Sequence, residues 1–162
     1  ITAFANISGA HLNPFVSLSM YLTKRIKGKE LLTFIPAQIL GCLLGVMLAN
    51  VFFEHSIIEL STKNRDGFHI FLSEIVATFG LIFIIFATLK DGKTTVAACV
   101  ATYISAGYWF TSSTSFANPA VAIARTFTDS FTGINYLNTP TYIFAELLGA
   151  IVAIYIIKRL IK

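Results

Sequence analysis

The sequence predicts an all-α membrane protein built as an inverted repeat, with four full spans and two re-entrant half-helices. Three observations carry that expectation. Hydrophobic residues make up 56% of the 162 and charged residues only 12%, with a mean hydropathy of +0.75. Soluble domains lie nearer a quarter charged. The charged residues also leave long gaps: residues 31–53 and 94–111 hold none, 68–89 hold only Glu74, and 141–157 only Glu146. Finally, two small-residue islands, S-G-A-H-L-N-P-F and S-F-A-N-P-A-V, place Asn13 and Asn118 105 residues apart.

In chain order, residues 1–7 are apolar but too short to span. With no initiator Met, charged leader or cleavage site, they are expected to be the end of a helix that begins upstream, so the chain reads as a fragment. The four apolar stretches then cross about 30 Å of hydrocarbon at about 1.5 Å per residue. The fourth is slightly short, with Tyr142 and Lys158–Arg159 as interfacial anchors. I-P-A-Q-I-L-G at residues 35–41 recurs as I-F-A-E-L-L-G at 143–149, which pairs Gln38 with Glu146. One domain over 1–162 is expected, its first repeat incomplete (1–53) and its second at 68–161. An odd number of spans per copy inverts the second copy.

Loop charge sets the orientation. Residues 24–30 carry four cations, Lys90 and Lys93 follow the second span, and Lys158, Arg159 and Lys162 close the chain. Residues 54–69 are mixed, and 126–140 carry only Asp129. The positive-inside rule therefore puts 24–30, 90–93 and the C-terminus in the cytoplasm. The net charge of +4 is a topology signal and gives no reason to expect nucleic acid. Cys42 and Cys99 lie inside spans and read as small hydrophobes.

Both islands lie in segments, 7–22 and 112–128, that leave and re-enter one face. Irregular backbone at membrane depth is tolerated only when buried in protein or lining a wet cavity. Asn caps a helix and Pro suits its first position, so Asn13-Pro14 and Asn118-Pro119 each start a half-helix. The plain reading is that both asparagines are caps. Paired and opposed, they would also focus two positive helix ends on one point.

S-G-A-H-L-N-P, A-Q-x-x-G-C and the second N-P-A together resemble the major intrinsic proteins, the aquaporins and aquaglyceroporins. The resemblance covers essentially the whole chain, without the family's first span and most of its second. It implies a passive channel for water and small neutral solutes, usually a homotetramer, with no cofactor and no metal. It places Asn13, Pro14, Phe15, Asn118, Pro119 and Ala120 at the pore midpoint, with carbonyls of Gly9, Ala10, His11, Ser115, Phe116 and Ala117 along its wall. His11 reads equally well as a packed loop histidine. Glu74 matches a buried glutamate that braces a half-helix loop, and Gln38 and Glu146 are expected to bond between helices.

The selectivity positions fall on Ala106, Ser115 and Val121. Val121 stands where the common motif has Arg, Arg125 follows one turn later, and Phe15 replaces the Ala of the first motif. A filter without that Arg resembles a bacterial branch associated with small solutes, metalloid hydroxides among them, which implies a bacterial inner membrane. Two other classes remain open on the residues alone: a secondary transporter coupled through Glu74 or Glu146, and a non-conducting scaffold. No enzyme constellation is present in the sequence.

Overall fold

A computed structural model describes residues 1–160; Ile161 and Lys162, including the last cation of the topology argument, lie outside the described residues. The elements in order are α1 (Ala5–Ser8), α2 (Pro14–Leu22), α3 (Gly28–Phe52), α4 (Phe68–Thr88), α5 (Lys93–Phe110), α6 (Pro119–Ala124) and α7 (Thr139–Leu160), with 3-10 turns at Leu89–Asp91 and Arg125–Phe127. No strand occurs among the described residues. This is an integral membrane protein of helices.

Three of the helices are long and apolar enough to cross a bilayer: Gly28–Phe52, Phe68–Asp91 and Thr139–Leu160. The fourth expected span forms as α5, 18 residues long, yet it falls short of the others in apolarity. Thr94, Thr95, Thr102, Ser105 and Gly107 dilute its hydrocarbon. Thr95 and Thr102 return their hydroxyls to carbonyls four residues back, Asp91 and Ala98, so these two polar groups need no partner from another helix.

The core lies where α4 crosses α7. Ala77, Leu81 and Ile82 of α4 meet Ala150, Ala153 and Ile157 of α7, all buried. Gly149 makes the closeness possible: a Cβ there would lie 2.4 Å from the carbonyl oxygen of Ile75. On the other side of α4, Tyr103 of α5 fills the notch at Gly80 and donates to the carbonyls of Val76 and Ala77 (3.1 and 3.2 Å). α3 packs against α2 and α6 but buries only Asn50, and Gly41 and Gly45 on it meet nothing within 4 Å.

The connections gather at two ends. Residues 54–67 and 125–138 bind one another: Ser61 N–H donates to Thr126 O (2.9 Å) and Asn135 N–H to Lys63 O (2.8 Å). Asp129 accepts from the Thr62 N–H (2.8 Å), a contact that holds its carboxyl below the usual carboxylate range. At the other end the Lys93 ammonium bonds Asn6, and Arg25 lies 5.6 Å over the Phe86 ring.

Candidate functional site

The two half-helices begin alike. Asn13 (φ −157°, ψ 123°) and Asn118 (φ −158°, ψ 110°) are both extended N-caps. The side-chain oxygen of Asn13 accepts from the Phe15 N–H (2.9 Å), and that of Asn118 from the Ala120 N–H (3.1 Å). Pro14 and Pro119 occupy the first helical position, where a missing N–H costs nothing. The copies differ in length: α2 runs nine residues, while α6 runs six before tightening into a 3-10 turn. The second half-helix is therefore shorter than the ten or so residues the sequence led us to expect.

Capping uses only the oxygen of each amide. The nitrogens cross over: Asn13 Nδ2 donates to Ala117 O (2.7 Å) and Asn118 Nδ2 to Leu12 O (2.9 Å). Each acceptor is the residue just before the opposite asparagine, and both are left-handed, Leu12 at φ +52° and Ala117 at φ +47°. Such a conformation costs a non-glycine residue about 1–3 kcal/mol and is held only by what surrounds it. Here it aims the carbonyl at the other half-helix. An amide has two N–H groups, so each asparagine keeps one beyond the crossed bond. Leu12 was not singled out in the sequence, since only the folded chain shows which carbonyl receives the bond.

Gly9, Ala10, His11, Leu12, Asn13, Phe116 and Asn118 line a cavity of about 520 Å³. Ala117 O, expected on the wall, is instead spent on Asn13. His11 is half-buried, with Nδ1 3.1 Å from Ser17 Oγ and its ring edge-on to Phe34 at 5.5 Å. It is packed and cavity-lining at once. Ser17 Oγ also accepts from Gln38 Nε2 (2.9 Å), which ties α3 to α2. Phe15 packs against the main core beside the α4–α7 crossing.

The second island is held from behind. Glu74, fully buried, accepts from the N–H groups of Phe116 (2.9 Å) and Ala117 (2.8 Å). Glu146, also fully buried and beside Glu74, accepts from the Asn118 N–H (2.9 Å). The expected helix-to-helix role of Glu146 thus misses its loop bond. Three consecutive amides end on two carboxylates. Glu74→Gln should destabilise this loop, because the amide has one acceptor oxygen for two N–H donors and presents a donor to the other. The cost is about 1–3 kcal/mol. Thermal unfolding in detergent checks it, and a variant with the parent's midpoint would show that Glu74 carries no such weight.

The three filter candidates are not gathered into one wall. Val121 lines a second cavity, of about 550 Å³, with Asn50, His55, Arg125 and Thr128. Ser115, left-handed at φ +50°, turns its buried hydroxyl against Gly107 of α5. Ala106 is exposed on α5. Neither lines either cavity.

A profile of the family described as "Major intrinsic protein" matches residues 1–111. The chain is 42% identical over 162 residues to "Aquaglyceroporin AqpS" of Rhizobium meliloti (strain 1021), covering all of this chain and 70% of that protein. It is 28% identical to "Aquaporin-4" of Bos taurus (94% of this chain, 50% of that one). It is 29% identical to "Aquaporin AqpM" of Methanothermobacter marburgensis (94% and 68%). The chain spans about half the length of the mammalian relatives it matches. With a profile covering well over half of its residues and a bacterial relative aligned end to end, the chain belongs to the major intrinsic protein family.

Proposed function

We propose that the protein is a passive channel for water and small uncharged solutes, with glycerol-like molecules and metalloid hydroxides as the solute class. The crossed pair of asparagines carries the reading. Two half-helix N-termini meet there, and each asparagine retains an N–H to orient a passing oxygen. The positive ends of both helices oppose cations at the same point. Cavities of about 520 and 550 Å³ supply candidate entrances. Its relatives include an aquaglyceroporin and an aquaporin, which points the same way.

A transporter coupled through Glu74 or Glu146 is the weaker reading, since both carboxylates are occupied by backbone amides. The cation-rich segments support a cytoplasmic face at 24–30, 90–93 and the end of α7, with 54–69 and 126–140 outside. A bacterial inner membrane and a homotetramer complete the proposal.

Stopped-flow swelling of proteoliposomes under water, glycerol, urea and arsenite gradients tests it. A channel gives flux linear in the gradient and independent of pH and membrane potential; saturation with ion coupling would overturn it. Val121→Arg tests the filter assignment. Arg adds a fixed charge and several donors to the cavity that Arg125 already lines. Glycerol flux should fall about tenfold or more while water flux falls less. Equal losses of both would remove Val121 from the filter.

A further inference from the structure

We propose that Arg125 is the residue that sorts solutes at the Val121 end of the pathway, excluding cations by charge and binding the hydroxyls of small neutral polyols or oxyacids. The inference rests on the channel reading. α6 ends after Ala124, and Arg125 follows as its C-cap and the first residue of the 3-10 turn. Its guanidinium carbon lies 4.3 Å over the Phe116 ring, and Nη2 donates to the Tyr108 hydroxyl (3.3 Å).

The platform beneath it is fixed. Phe116 is 5% exposed, its ring lies 4.9 Å from that of Tyr142, and its N–H is held by Glu74. A guanidinium on that surface has little freedom to swing away.

A second arginine shares the ring but is already spent. Arg65 lies 5.4 Å over Phe116, with Nε on Gly133 O, Nη2 on Phe131 O and Nη1 near Thr114 Oγ1. Arg125, half-buried, makes one side-chain hydrogen bond among the described residues and has no carboxylate partner there. No Asp or Glu lines this cavity, and Glu59 is paired with His55 at 2.8 Å. Of five guanidinium N–H groups, most are left for water or solute.

The cavity offers these donors beside an apolar wall of Val46, Phe53 and Val121. That combination suits a molecule with two neighbouring hydroxyl oxygens on a compact body: the planar fork reads both oxygens, and the wall takes the rest. A cation meets an unpaired positive charge at low dielectric.

The test uses proteoliposomes and planar bilayers containing the protein, Arg125→Gln or Arg125→Lys. Readouts are potassium conductance and glycerol flux, each divided by water flux through the same preparation. Arg125→Gln should raise relative potassium conductance about tenfold. Arg125→Lys should keep potassium out but change the glycerol-to-water ratio severalfold, because the fork is lost and the charge is not. Wild-type values for both variants would overturn the proposal. If Arg125→Gln yields no folded protein, a wild-type glycerol-to-water ratio in Arg125→Lys overturns the hydroxyl-binding role by itself. Failure of the unsubstituted protein to pass water or glycerol would instead bring down the channel reading, so the two failures are distinct.

Discussion

Gly149→Ala is expected to prevent α4 and α7 from packing, with loss of folded protein in detergent. Its new methyl would stand 2.4 Å from Ile75 O, 3.0 Å from Phe79 N and 3.1 Å from Thr78 Cβ. The first two are backbone atoms of a helix and cannot rotate aside. Overpacking of this kind costs typically about 1–3 kcal/mol and more where the backbone must move. Ala gains roughly 1 kcal/mol over Gly in helix propensity, which opposes the clash without matching it. Gly41 and Gly45 of α3 supply the control, since neither has an atom within 4 Å of a prospective Cβ. Ala at those positions should leave the midpoint unchanged or raise it slightly. Size-exclusion profiles and thermal unfolding measure all three, and a Gly149→Ala protein as stable as Gly41→Ala would refute the close crossing.

Asn118→Asp should cut neutral-solute flux by about tenfold or more and weaken the exclusion of cations. The half-helix itself is expected to survive, because Asp caps as well as Asn and a carboxylate is favoured at a helix N-terminus. What fails is the crossing. A carboxylate has no N–H for Leu12 O, so two acceptors face each other where a 2.9 Å hydrogen bond now stands. The new negative charge also offsets the positive helix ends that oppose cations. Swelling and conductance measured on one preparation separate the two effects. Wild-type flux with an intact cation barrier would remove Asn118 from the pathway.

How much of this was readable beforehand depends on whether the signal was local. Charge-free runs marked the long helices to within a few residues, because hydrocarbon thickness fixes length and a charge in it is costly. Asn-Pro marked both half-helix starts, because the cap and the first-turn preference act within three residues. Partners 28 and 106 positions away left no local trace. Nothing around Leu12 announces that its carbonyl serves Asn118, and nothing around Glu146 separates a loop amide from a neighbouring helix as its partner. The filter positions were the hardest for the same reason. Counting back from Asn118 fixes positions in the chain, but Ser115 packs its hydroxyl against Gly107 at a left-handed residue and Ala106 lines neither cavity. Arg125 shows the reverse: a position past the end of α6 has a side chain long enough to reach back over Phe116 while lining the Val121 cavity.

The crossed asparagines also bear on how the chain matures. Their bonds join residues 104 and 106 positions apart, so neither can close until α3, α4 and α5 are in place between them. Closing a loop of that length is entropically costly and slow, which makes the midpoint one of the last features to form. Until then the carbonyls of Leu12 and Ala117 lack these partners, in a solvent that offers no substitute. A half-inserted chain would therefore show unsatisfied backbone at mid-bilayer, a mark by which membrane quality control can tell an unfinished molecule from a finished one.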